Sequence, residues 1–170
     1  MAPGTDETVQ PGEPPTALVA RLARAKAAAV APHHPQAWVI GSDQMAVLAA
    51  AGEESVLGKP GTEARCIEQL RRCSGRAVSF LTAVAVMKQD GNALFEFIDT
   101  TTVTFRLLDQ AAIQRYVVRD RPLDCAGGFK SEGLGITLCE SIDSADPTAL
   151  IGLPLIRLSA VLRGAGYALP

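Results

Sequence analysis

The chain has 170 residues, enough for one domain with a sizeable core, and at 48% hydrophobic and 20% charged it has the composition of a globular protein rather than a disordered or fibrous one. With 16 basic against 18 acidic residues the net charge is −2, which gives no footing for a general nucleic-acid binder. No apolar run approaches the ~20 residues needed to cross a bilayer. The polar, Pro-rich start MAPGTDETVQPGEPP lacks the charged opening and apolar centre of a signal peptide, so no membrane partner and a cytoplasmic location are expected.

Residues 1–15 read as an irregular lead-in. From Thr16 to Val30 the pattern is helical: Leu18, Leu22, Ala25 and Ala29 share one face, Val19 and Ala23 broaden it, and Pro32 and Pro35 end it. Arg21 and Arg24 are expected to face water, and Lys26 sits near the helix end, where a cation complements the dipole. His33 and His34 lie in a Pro-bounded loop with no third ligand nearby, which argues against a metal there. The run Trp38-Val39-Ile40 reads as a short buried strand within 37–41 that stops at Gly41, with Asp43 immediately beyond it. A second short apolar stretch leads to Leu57-Gly58-Lys59-Pro60, a cation beside a tight turn. A carboxylate at a strand end and a nearby lysine suit chemistry on phosphates, one activating water or holding a metal and the other neutralising charge.

Thr62 is an N-cap for a helix through Cys73, with Ile67 and Leu70 inward and Ser74-Gly75 closing it. Residues 77–87, AVSFLTAVAVM, read as a central strand, Gln89-Asp90-Gly91-Asn92 as a hairpin turn, and Thr101, Val103 and Phe105 as the inward positions of the partner strand. Asp109 caps a helix to about Val118. Residues 120–135, DRPLDCAGGFKSEGLG, show no period and hold four glycines, the mark of a functional loop. Ile136 to Cys139 reads as another strand, Asp146-Pro147 as a turn, and Leu153 to Arg163 as a closing amphipathic helix. The cysteines Cys66, Cys73, Cys125 and Cys139 form no C-x-x-C pair and are expected as reduced thiols packed like small hydrophobes. Strands and helices without strict alternation predict an α/β fold, a mixed sheet flanked by helices.

Three pieces of this chain are candidates for one cleft: Gly41-Ser42-Asp43-Gln44, Gly58-Lys59-Pro60 and the loop through Lys130-Ser131-Glu132. There is no Walker A motif, since Gly58-Lys59 is followed by Pro60. The motifs WVIGSDQ (38–44), LGKP (57–60), SGRAVSFLTAVAV (74–86), RPLDCAGGFKSEGLGITL (121–138) and DPTALIGLPLIRL (146–158), in this order, resemble the Maf family of nucleoside triphosphate pyrophosphatases. The match is to its YceF-like branch, whose members convert 7-methyl-GTP to 7-methyl-GMP and pyrophosphate. Gln44 and Lys130-Ser131-Glu132 carry that distinction, because the thymidine/uridine-triphosphate branch has a Thr and an Ile-Gln-Gly there.

The resemblance implies a curved sheet of the Maf/inosine-triphosphatase type in a single domain over 1–170. It also implies a nucleoside triphosphate substrate, a divalent cation (Mg²⁺ or Mn²⁺) and a homodimer. By motif match, Asp43 is the proton acceptor and, with Glu7, a metal ligand. Lys59, Lys26 and Lys130 bind substrate, and Gln44 and Glu132 set base specificity. The family's opening Ser-x-Ser-Pro-x-Arg-Arg loop has no counterpart after Met1, so the resemblance also implies a domain truncated at its N-terminus. Two other readings stay open: a pyrophosphatase for another modified or non-canonical nucleotide, and a nucleotide-binding protein with impaired turnover.

Overall fold

The computed structural model describes residues 4–50, 53–88 and 93–170; the expected hairpin turn at 89–92 lies outside them. Helix α1 (Pro15–Val30) buries the stripe Leu18, Val19, Leu22, Ala23 and Ala27; the expected Ala29 is instead exposed and Ala25 half-buried, because the buried face continues from Ala23 to Ala27. Pro15 is tolerated in the first turn, where the amide it lacks has no partner. Strands β1 (Val39–Ala50) and β2 (Glu53–Leu57) follow, then helix α2 (Glu63–Cys73), whose N-cap Thr62 accepts from Arg65 N at 3.3 Å. Strands β3 (Ala77–Lys88) and β4 (Ala93–Phe105) lead to helix α3 (Gln110–Asp120), capped by Asp109, which accepts from Ala112 N at 2.7 Å. Strand β5 (Cys139–Ser144) and helix α4 (Leu155–Gly164) complete the chain.

The strands form one five-stranded sheet in the order β2-β1-β3-β4-β5. The α/β fold with a sheet flanked by helices is as expected. Every pairing is antiparallel rather than mixed, because successive strands either fold back on each other or, like β1 and β3, meet across a helical excursion that reverses direction. β3 is central, as read, and stays buried almost throughout because helices cover both its faces.

Two strand assignments are corrected. β1 does not stop at Gly41 but runs on through Ser42, Asp43 and Gln44, paired in unbroken register with Ala85, Val84, Ala83 and Thr82. The glycine is there for a close approach: a Cβ at position 41 would sit 2.6 Å from Ala27 N, and closer still to Ala23 O, on α1. Residues 136–138 are not strand but part of a 3-10 turn over Leu134–Leu138; β5 begins only at Cys139. The turn is held by Thr137 Oγ1 donating to Leu134 O at 2.7 Å and Leu134 N donating to Asp120 Oδ2 at 2.6 Å. The closing helix starts at Leu155, after Pro154 and a left-handed Gly152 (φ 113°).

The core is distributed unevenly over the two faces of the sheet. One face is covered by α1, whose stripe packs on Val39, Met45, Val47, Leu81, Ala83 and Ala85. The other carries two separate clusters. At one end α2 and α3 close over Leu48, Val78, Phe80 and Val103, with Phe129 inserted; at the other α4 places Leu158 on Val84, Val86 and Phe97. Between those clusters lies a seam of polar side chains, Ser42, Gln44 and Thr82. β2 pairs only with Ala46 to Ala50 of β1, so the stretch 39–45 has no strand on its outer side among the described residues, and the seam opens there. Burial pushes the Cys66 thiol to about 11 and Cys73 to about 12, and all four thiols are free. No helix among the described residues is long and apolar enough to cross a membrane.

Candidate active site

Asp43 points to the α1 face of the sheet and meets Lys26, whose Nζ donates to Asp43 Oδ1 at 2.5 Å. The same ammonium lies 3.2 Å from Glu7 Oε1. Glu7 is brought there by a lead-in strapped to α1: Arg21 makes a two-pronged contact with Glu13 (2.7 and 2.9 Å) and donates to Thr8 O at 2.9 Å. Bidentate guanidinium–carboxylate geometry fixes orientation as well as distance. Burial pushes the Asp43 carboxyl above the ordinary aspartate value of 3.8, and Glu7 adds repulsion. The hydrogen bond and attraction of Lys26, and the attraction of Lys59, offset only part of this. For Lys26 burial disfavours the charge, but Asp43 and Glu7 together outweigh it, and its pKa is raised. The pair is thus an ionised lysine beside a carboxylate of raised basicity.

Lys59 comes from the turn after β2. That turn is latched to the glycine-rich loop: Gly58 O accepts from Gly127 N (3.2 Å) and Gln69 Nε2 (3.1 Å), and Gly61 N donates to Leu123 O (2.9 Å). The loop requires glycine at 128, where φ is +62° and a Cβ would lie 2.6 Å from Cys66 Sγ. Beyond it Phe129 is buried against Phe80 and Phe105, with ring centroids 5.5 and 5.3 Å away, so the start of the loop is anchored in the core. Three residues on, Glu132 emerges exposed, with Ser131 Oγ donating to its Oε2 at 3.4 Å.

On the opposite face of β1 the seam residues hold a wall. Ser42 Oγ donates to Gly152 O at 2.8 Å. Gln44 Nε2 donates to Thr82 Oγ1 (2.9 Å), Ala149 O (2.9 Å) and Leu150 O (3.2 Å), and Thr82 Oγ1 donates to Ala149 O at 3.0 Å. The segment 149–152 is thereby fixed across the seam.

These parts enclose one cavity of about 290 Å³, bounded by Lys26, Asp43, Gln44, Lys59 and Glu132. The structure therefore brings together five of the seven residues singled out in the sequence, and Glu7 joins them through Lys26. Lys130 does not line this cavity; its backbone N–H donates to Tyr116 Oη at 2.9 Å, and no ion pair joins it to Glu132 among the described residues. Sequence reasoning missed Thr82 and the 149–152 wall. The available signal was a hydroxyl, Thr82, in the middle of the apolar run Phe80 to Val86. Asp43 and Glu7 offer hard oxygen donors converging on one cation, with no third acidic, His or Cys group in a cluster among the described residues. That set fits a Mg²⁺- or Mn²⁺-type ion, which takes one or two carboxylates and completes its shell with substrate phosphate and water.

Comparison with known proteins places this arrangement in a family. The profile of the Maf-like protein family matches residues 1–165. The chain is 54% identical over 164 residues to the 7-methyl-GTP pyrophosphatase of Alkalilimnicola ehrlichii, covering 96% of this chain and 80% of the relative. It is 52% identical over 168 residues to the protein of that name from Xanthomonas campestris pv. campestris, with 99% and 85% covered. The Pseudomonas putida protein of the same name is 49% identical over 169 residues, with 99% and 86% covered.

Proposed function

The chain belongs to the Maf-like family, and from that premise we propose that it hydrolyses 7-methyl-GTP to 7-methyl-GMP and pyrophosphate. The observation that carries this reading is the placement of a half-buried carboxylate, Asp43, against an ionised lysine, Lys26, in a cavity that also holds Lys59. Release of pyrophosphate in one piece requires water to add across the anhydride between the α- and β-phosphoryl groups. Asp43 accepts the proton that water loses, and its raised pKa makes it the better base. Lys26 and Lys59 neutralise phosphate charge and let water approach. Asp43 and Glu7 would hold the divalent cation, which when bound supplies further positive charge to the phosphates and acidifies water. Glu132 discriminates the base, since a carboxylate suits a guanine made cationic by methylation. Gln44, its amide donors already engaged, contributes by fixing Ala149 and Leu150.

The test is pyrophosphate release from 7-methyl-GTP, GTP and other nucleoside triphosphates with Mg²⁺ or Mn²⁺. The expected result is a preference for 7-methyl-GTP and a loss of ~10²–10⁴-fold in kcat for Asp43→Asn, the usual scale for a missing general base. Wild-type turnover in Asp43→Asn would reject the assignment.

A further inference from the structure

A second cavity, of about 200 Å³, lies between helix α3 and the 3-10 turn over Leu134–Leu138. It shares no lining residue with the cavity that holds Lys26 and Asp43. Three arginines line it, Arg106, Arg115 and Arg119, together with Tyr116, Leu134 and Thr137, and no acidic side chain does. Arg115 and Arg119 stand one helical turn apart on α3, a spacing at which like charges repel. Neither they nor Arg106 have an ion-pair partner among the described residues, although the chain carries 18 acidic residues. The carboxylates at the two ends of α3 are spent on backbone amides: Asp109 accepts from Ala112 N and Asp120 from Leu134 N.

The cluster is built rather than scattered. The Arg106 guanidinium is fixed against the turn, with Nε donating to Thr137 O at 2.9 Å and Nη1 to Leu107 O at 3.3 Å. Its remaining N–H groups stay available, and a donor already held in place loses little freedom on binding. Tyr116 is only 3% exposed, and its hydroxyl accepts from Lys130 N at 2.9 Å, which ties this wall to the glycine-rich loop. Guanidinium forks take oxyanions two-pronged, and three of them with no lining carboxylate suit an anion with more than one charged centre. The cavity is smaller than the ~300–1,000 Å³ of sites that enclose a drug-sized ligand, so it holds a phosphate tail and leaves a nucleoside outside. The net charge of −2 disfavours a long polyanion.

We propose that this pocket is a second anion site, separate from the catalytic cavity, that takes a diphosphate group. Arg115 and Arg119 grip it from α3 and Arg106 from the turn. The group arrives either as inorganic pyrophosphate or as the tail of a nucleoside diphosphate. The site does not depend on which nucleotide the catalytic cavity hydrolyses.

The experiment is a calorimetric titration of the full chain, without divalent metal, with pyrophosphate, GDP and sulfate in turn. It is run on the wild type, on Arg115→Gln/Arg119→Gln and on Arg115→Lys/Arg119→Lys, with thermal melting to verify folding. Lys26 and Lys59 also attract anions, so the place of binding is read from amide shifts in NMR. Expected is saturable binding of pyrophosphate or GDP by the wild type, with shifts at Arg115, Thr137 and Leu138 and, through Tyr116, at Lys130. The glutamine variant should bind about tenfold or more weakly at these residues, the scale of one lost charge-assisted hydrogen bond. The lysine variant, which keeps the charge without the fork, should fall between the two. The tighter of pyrophosphate and GDP identifies the source of the group. No saturable binding, equal affinity in the glutamine variant, or shifts confined to Asp43 and Lys59 would overturn the proposal. So would sulfate binding as tightly as both diphosphates, which marks a general anion pocket. A single-stranded oligonucleotide that binds more tightly than either and is lost in the glutamine variant would assign the arginines to nucleic acid instead.

Discussion

Asp43 and Lys26 illustrate how burial and pairing set the chemistry of single residues. Burial holds the Asp43 carboxyl above 3.8, and Lys26 is the main influence opposing it. In the metal-free protein the Asp43 carboxyl should therefore titrate above 3.8. Lys26→Met removes the opposing charge and should move that titration to higher pH while lowering kcat/KM; NMR titration of the carboxyl without metal checks the first and pyrophosphate release the second, and a titration that moves down contradicts the pairing. Asp99 is a buried carboxylate, with Oδ1 lacking a hydrogen-bond partner among the described residues. Burial raises its pKa, Asp146 adds to this, and Arg157 opposes it. A folded value above the unfolded one means that stability from this group is present below 3.8 and is lost as pH rises through the folded value. Asp99→Asn should therefore melt at higher temperature than the wild type at neutral pH, with the gap closing below 3.8. An equal gap at both pH values would assign the effect to packing.

At the scale of elements, α4 is capped from a distance. Its own N-cap, Pro154, has no side-chain cap, and Ile156 N instead donates to Asp146 Oδ2 at 2.6 Å while Leu155 N donates to Thr148 Oγ1 at 2.9 Å. Burial pushes the Asp146 pKa up, but hydrogen bonds to the carboxylate from the Thr148 hydroxyl and from the Ile156 and Thr148 amides outweigh it and hold the pKa below its ordinary value. Asp146→Ala orphans the Ile156 amide and should cost ~1–3 kcal/mol in denaturant unfolding, the range for an unsatisfied buried donor. The loss should fade toward low pH, because a depressed pKa contributes stability only above the unfolded value. Helices α2 and α3 were readable from sequence because their caps, Thr62 and Asp109, act within three residues. The passage of β1 through Gly41 was not, since its reason is a helix whose closest atoms belong to Ala23 and Ala27. Asp43, Lys26, Lys59 and Glu132 carry motif signals of their own. The wall at 149–152 depends on bonds from Gln44 and Thr82 that span more than sixty residues, which no local pattern encodes.

Across the whole molecule, the division of one sheet face into two apolar clusters produces the cleft: where neither cluster reaches, polar side chains remain and a ligand can enter. The larger cluster is tied to the glycine-rich loop through Phe129, packed on Phe80 and Phe105. Phe129→Ala should cost ~3–5 kcal/mol, as for aromatic truncations in cores. It should also release the loop that carries Glu132, so discrimination between 7-methyl-GTP and GTP should fall along with stability. Phe129→Leu, which keeps most of the volume, should retain discrimination; if it loses as much as alanine does, the ring acts on the substrate side rather than as an anchor. The bare contact between α1 and β1 at Gly41 has a different consequence. Because no side chain lies between helix and strand, the spacing of ammonium and carboxylate is gauged by backbone on backbone, a hard stop that repacking elsewhere cannot loosen. A methyl group at 41 would act as a shim, lifting the helix together with Lys26 and, through Arg21, Glu7. A graded series of side chains at that one position would then serve as a ruler, reading how far the charges can separate before the chemistry stops.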